Sequence, residues 1–171
     1  MGVSLDHHVA LRVTDIDRSI RFWVEALDGR LATPPALRSG GYFDDLFGPG
    51  AQVKICYILF DAGAVELFEF VEPRQAVSPS SQTGDGLMHF GVTVGDVAEA
   101  LRRVEAAGGR RRLEINHMGG REDAPGFVYC EDPDGHVFEL MEATNVQTVE
   151  QILKTIAALA RPDSEAPAGT T

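Results

Sequence analysis

The sequence is poor in cysteine, tryptophan and positive charge. Of its 171 residues two are cysteines and one is tryptophan. Two thiols make no disulfide framework, so the chain is not a stapled secreted scaffold. No apolar run approaches the ~20 residues that a membrane span requires. Fifteen Lys and Arg face 26 Asp and Glu, a formal net charge of −11. Nucleic acids and anionic membrane surfaces need a basic face, so neither is expected as a partner. Near the N-terminus Asp6, His7 and His8 stand where a secretory signal would carry an apolar stretch, and a cytoplasmic protein is expected. What is present is an ordinary globular composition, 44% hydrophobic and 24% charged. A chain of this length buries about 70% of its unfolded surface and needs no staple.

The chain repeats itself. His8-Val9-Ala10-Leu11-Arg12-Val13-Thr14-Asp15-Ile16 reads like His89-Phe90-Gly91-Val92-Thr93-Val94-Gly95-Asp96-Val97. Each is a histidine, an alternating strand pattern, then an aspartate placed to cap a helix. Ile16, Ile20, Trp23 and Leu27 follow at helical spacing in one copy, and Val97, Leu101 and Val104 in the other. Gly29 and Gly108 stand where these helices stop. Later in each copy, Val65-Glu66-Leu67-Phe68-Glu69 resembles Phe138-Glu139-Leu140-Met141-Glu142, each after a turn signal and a strand-like run.

The expected class is α+β: two βαβββ modules over residues 5–73 and 86–143, forming a cupped mixed sheet around one site. A polar linker joins them. Residues 33–50 read as a long loop with one helical turn at Tyr42–Phe47. A C-terminal helix is expected over 147–161. Its stripe of Val149, Ile152, Leu153, Ile156 and Leu159 must find cover on the domain or on a second subunit. Residues 162–171 read as a disordered tail.

Strand parity sorts the candidate residues. His8, Ala10 and Arg12 share one face, and His89, Gly91 and Thr93 another. Glu66 lies with Phe68 and Phe70, and Glu139 with Val137 and Met141. The opposite faces are apolar and suit helix cover. Each repeat thus offers one imidazole and one carboxylate, and four such groups make a competent shell for a divalent metal. A lone strand histidine is usually a satisfied polar group; the same pair in the same register twice is what points to ligation. Glu69 and Glu142 compete for that role but fall on the helix side. Arg12 suits a substrate carboxylate or phosphate, or an ion pair with a nearby acid. His7, His117 and His136 rank below the pair. Arg110, Arg111 and Arg112 read as a solvated run, and Cys56 and Cys130 as core thiols.

These pieces, with Gly126-Phe127-Val128-Tyr129 and Asp132-Pro133-Asp134-Gly135-His136-Val137-Phe138-Glu139-Leu140, resemble the vicinal oxygen chelate superfamily. That superfamily includes glyoxalase I, methylmalonyl-CoA epimerase, extradiol dioxygenases and the fosfomycin and bleomycin resistance proteins. The motifs are nearest the glyoxalase and epimerase branches. The resemblance implies one domain over residues 5–143, with one divalent ion (Zn, Ni, Co, Mn or Fe) on His8, Glu66, His89 and Glu139. It implies an epimerase, isomerase or lyase that stabilises an enolate-like species of a small carbonyl or acyl substrate. Glu139 and Glu66 are then the proton-moving candidates, and Arg12, Phe68 and Phe70 the substrate contacts. A homodimer is expected. Two alternatives stand beside this: a natural-product-binding resistance protein without turnover, and a ferrous extradiol-type dioxygenase.

Overall fold

The computed structural model describes residues 7–74 and 86–159. The linker core, the first six residues and the expected tail lie outside the described residues. The first repeat runs β1 (Val9–Val13), α1 (Ile16–Leu27), β2 (Arg30–Leu31), β3 (Ala36–Ser39), α2 (Tyr42–Phe47), β4 (Gln52–Leu59) and β5 (Ala64–Glu72). The second runs β6 (Phe90–Thr93), α3 (Val97–Ala106), β7 (Arg110–Arg111), β8 (Asn116–His117), β9 (Gly126–Glu131) and β10 (Val137–Met141). Helix α4 (Asn145–Leu159) follows. This is the expected α+β fold: two βαβββ-like modules with mixed sheets, and a C-terminal helix. Among the described residues no helix is long and apolar enough to cross a membrane.

The modules use one topology twice. The sheet orders are β1-β5-β4-β2 and β6-β10-β9-β7, with β3 added to β4 and β8 to β9. In each, the first strand pairs parallel with the last. The helix between them crosses over and covers one face. Asp15 and Asp96 cap α1 and α3, accepting from the backbone N–H groups of Arg18 and Glu99 at 3.0 and 2.9 Å. Ile16, Phe22, Trp23 and Ala26 of α1 are buried, as are Val97, Ala100, Leu101 and Val104 of α3.

These buried faces meet. The two helices pack on each other, and one apolar core joins Leu11, Val13, Val65 and Leu67 to Val128, Phe138 and Leu140. Trp23 of the first module sits 5.2 Å from Phe138 and 6.0 Å from Phe90 of the second, centroid to centroid. Polar ties cross the same seam. Asp134, in the β9–β10 turn, accepts from Thr14 N and Oγ1, Ser19 Oγ and Arg18 at 2.6 to 3.2 Å. Arg103 of α3 binds both Asp28 oxygens at 2.6 Å and reaches the Glu25 carbonyl.

Several local expectations change. The left-handed residue after α1 is Asp28 (φ 56°), not Gly29. Gly29 is required for closeness instead, since a Cβ there would lie 2.4 Å from Ile58 Cγ2. Gly108 does end α3 with a positive φ of 93°. The 33–50 loop contains the expected turn of helix and also an edge strand, β3, which Pro34, Pro35 and Gly40 disguise. Val149, Ile152, Leu153 and Ile156 of α4 are exposed, so this chain's own domain does not cover that stripe.

Candidate metal centre

Register builds the site. In the first module Val9 pairs with Val65 and Ala10 with Glu66, so Glu66 stands beside the strand position two residues after His8. In the second, Glu139 pairs with Gly91, two residues after His89. Both pairs lie on the sheet face opposite the shared helical core. His8 Nε2 is 3.4 Å from Glu66 Oε2, and His89 Nε2 is 3.6 Å from Glu139 Oε2. The glutamate side chains are only 13% and 12% exposed.

Those separations fit a shared cation better than a direct bond. A good N–H···O hydrogen bond spans about 2.7–3.2 Å. Two donors each about 2.0–2.1 Å from a tetrahedral ion stand about 3.4 Å apart. The remaining ring nitrogens agree. His8 Nδ1 is taken by His7 Nδ1, and His89 Nδ1 is buried without a partner, so each ring presents Nε2 to its glutamate. Each module therefore offers a nitrogen–oxygen half-shell suited to a divalent ion. Within one chain the halves stay apart: among the described residues no three His, Cys, Asp or Glu side chains are grouped to hold a metal. The reason is the α1–α3 packing, which puts the common core between the sheets.

One further residue joins each half, and sequence reading missed both. Tyr57 pairs with Glu66 across β4 and β5, and Tyr129 with Glu139 across β9 and β10. Burial, then the hydrogen bond to Glu66 and its charge, push the Tyr57 phenol up to about 12. Burial, then the charge and hydrogen bond of Glu139, raise Tyr129 as well. The linear repeat hides this match. Tyr57 precedes its glutamate by nine residues and Tyr129 by ten, because the β9–β10 turn is one residue longer.

The first half-site carries an aromatic wall. Phe47 of α2 packs on Phe68 and Phe70, with centroids 6.0 and 5.0 Å away. The Arg12 guanidinium lies 4.3 Å over the Phe70 ring, a cation–π contact. Among the described residues no carboxylate is within ion-pair distance of it, so the alternative of an acidic partner is not realised there. The same-side residues of the second half are smaller or more flexible: Gly91, Thr93 and Met141.

The competing residues have other work. Glu69 accepts from the first backbone N–H of α1, at Ile16, and from Lys54. Glu142 accepts from the N–H groups of Val97 and Gly126 at 3.0 and 2.6 Å, and these bonds hold its pKa below the ordinary range. Both glutamates therefore anchor helix starts. Arg110 and Arg112 clamp the buried Glu131 while Arg111 turns to Glu105 and Glu114, so the basic run is only partly solvated. Burial pushes the Cys56 and Cys130 thiols up to about 11 and 12, which suits inert core groups. His117 bonds the Ala124 carbonyl and His136 bonds Asp132. A cleft of about 1030 Å3 touches His8 but not Glu66, His89 or Glu139. It separates the β4–β5 turn from α3, where the other half has its Asp134 tie.

Comparison with known proteins places the chain in a family. Residues 7–140 match the Glyoxalase/Bleomycin resistance protein/Dioxygenase superfamily. A probable chloroplastic lactoylglutathione lyase of Arabidopsis thaliana is 31% identical over 137 residues, 79% of this chain and 35% of that protein. The lactoylglutathione lyase of Salmonella typhimurium is 29% identical over 139 residues, 80% of this chain and 90% of that one. The chain thus spans well under half of the plant relatives and most of the bacterial ones. A glyoxalase family protein from Bacillus cereus superposes with a TM-score of 0.71 at 20% identity, covering 82% of this chain and 95% of that one, a likeness of fold.

Proposed function

Because the chain belongs to the glyoxalase/bleomycin resistance/dioxygenase superfamily, we propose that it is a divalent-metal-dependent lyase, isomerase or epimerase of a small carbonyl or acyl compound. The observation that carries this reading is the repeated histidine–glutamate pair, at 3.4 and 3.6 Å in one register. His8 and Glu66 supply one half of the shell, and His89 and Glu139 the other. A second copy brings the halves together, so the active species is a homodimer with one cation per chain. The uncovered stripe of α4 is consistent with such an assembly.

When bound, the cation supplies Lewis acidity to a substrate carbonyl oxygen and makes the neighbouring C–H acidic. The chain's own groups do the rest. Glu139 or Glu66 takes the proton from carbon and returns it, to the same carbon, to its neighbour, or with loss of a leaving group. Their low exposure keeps bulk water from competing. Arg12, lying against Phe70, holds a substrate carboxylate or phosphate, and Phe68 and Phe70 bind its apolar part.

Metal analysis of protein purified without a histidine tag tests the reading. One divalent ion per chain, absent after His8→Ala or Glu139→Gln, is the expected result. Lactoylglutathione is the first substrate to assay, since relatives are named for it. The aromatic wall of Phe47, Phe68 and Phe70 favours a second reading, capture of a natural product without turnover. Metal-free protein that binds an aromatic ligand tightly would establish that one in its place. Oxygen uptake with catechols would favour a dioxygenase.

A further inference from the structure

The duplicated pattern extends past the histidines and glutamates. Residues paired across antiparallel strands share a face, with Cβ atoms about 4.5–5.5 Å apart. Tyr57 therefore lies over Glu66 and Tyr129 over Glu139. The rings take the same pose in both halves. Tyr57 meets His8 edge-on, centroids 5.8 Å apart at 82°, and Tyr129 meets His89 at 4.9 Å and 85°. The chain has three tyrosines. The third, Tyr42, is 70% exposed on α2. Two of the three thus occupy equivalent places in the two modules, each opposite its own module's glutamate.

We propose that Tyr57 and Tyr129 are positioning residues for the cation site, each donating its phenol O–H to one oxygen of the adjacent glutamate. That donation fixes which oxygen is left for the cation beside the histidine Nε2. A carboxylate with both oxygens free can rotate about its terminal bond or grip an ion with either atom. One tied to a phenol presents a single oxygen at a set angle. Outer partners of this kind tune affinity by about 10- to 100-fold when removed. The hydroxyl carries the effect, not the ring. Phenylalanine keeps the packing and the edge contact with histidine but has no donor.

This inference rests on the metal-centre reading above, and one experiment separates the two. Zn2+ affinity is measured by competition with a chromophoric chelator for the wild type, Tyr57→Phe, Tyr129→Phe and the double variant, in full-length protein. Cobalt-loaded protein is examined in parallel by visible absorption at saturating Co2+. The expected result is binding weakened about tenfold by each single change and about a hundredfold by both, with a shifted cobalt band and unchanged melting of the metal-free protein. Affinities within about threefold of wild type, or an unmoved cobalt band, overturn the tyrosine assignment and leave the metal centre standing. The cobalt band decides the matter even for a variant that melts early, because it reads ligand orientation at saturation. Wild-type protein that binds neither ion overturns both.

Discussion

Asp134 of the second module lies 2.7 Å from Arg18 of the first, and its side chain is 2% exposed. The same carboxylate accepts from Thr14 twice and from Ser19, so it closes the start of α1 onto the β9–β10 turn. Burial raises its pKa, but the bonds from Thr14 and Arg18 outweigh that and leave it below the ordinary value. Removing it takes a partner from the buried Ser19 hydroxyl and from the partly buried Arg18 guanidinium. Asp134→Ala should cost about 2–3 kcal/mol in urea denaturation, and Arg18→Ala less, since Arg18 is 39% exposed. A depressed carboxylate stabilises the fold above its unfolded pKa of about 3.9, and the contribution is lost as pH falls through the lower folded value. The deficit of the Asp134→Ala variant should therefore shrink in strong acid. An equal deficit at every pH would show that the carboxylate charge is not what joins the modules.

His136 makes the opposite pH prediction. Burial lowers its pKa, but the Asp132 hydrogen bond, the charges of Asp132 and Asp134 and the Arg12 carbonyl together raise it above 6.5. Its Nδ1 is 2.8 Å from Asp132 Oδ2. A raised imidazole stabilises fully below the unfolded value and loses that contribution as pH rises through the folded one. The stability difference between wild type and His136→Asn should be largest near pH 6 and diminish toward pH 9. Thermal melts in chelator, with the variant as reference, remove the contributions of His8 and His89. A difference that grows with pH would mean His136 is held neutral.

Much of this arrangement is legible in the sequence because it is written twice. The Asp15 and Asp96 caps, the apolar helix faces and the His–Glu parity all follow from period and position. What hides is set by tertiary contact. Strand β3 sits between Pro34-Pro35 and Gly40-Gly41, so no run of alternation announces it. β7 and β8 are two residues each and exist only as edges on β9. Tyr57 and Tyr129 are masked by turns of unequal length. The separation of the half-sites depends on α1 packing against α3, which no local pattern specifies. Glu69 and Glu142 look like ligands until the N–H groups of Ile16 and Val97 claim them.

Gly109 should be irreplaceable for a steric reason. A Cβ there would lie 2.7 Å from both the Glu131 carbonyl and Phe22 Cε2 and 2.8 Å from Val104 Cγ1. Phe22 and Val104 belong to the α1–α3 seam, where neither can retreat. Gly109→Ala should destabilise by about 1–3 kcal/mol or more through overpacking. Gly95→Ala is the control, having nothing within 4 Å of the added atom. Equal urea midpoints for the two variants would refute the close-approach argument.

Glu142 offers a way to separate anchoring from ligation. Its two backbone bonds, to Val97 and Gly126, hold the start of α3 against β9. Glu142→Ala should lower stability by about 1–2 kcal/mol and leave cation stoichiometry unchanged. Glu139→Gln should do the reverse, losing the ion with little change in the metal-free melt. If Glu142→Ala abolished binding in folded protein, the assignment of the two glutamates would have to be exchanged.

Cation binding should also be visible as stability. An ion that binds only the folded state adds RT ln(1 + [L]/Kd), about 2.7 kcal/mol at a hundredfold excess over Kd. For a chain of this size that is a rise in Tm of about 5–11 °C. Zn2+ or Ni2+ should produce such a rise in the wild type and none in the His8→Ala/His89→Ala double variant. If the halves come from different copies, as proposed above, the rise should grow with protein concentration, as a cation that needs two chains favours their association. A shift that survives loss of both histidines would place the ion elsewhere, and one independent of concentration would place both halves in a single chain.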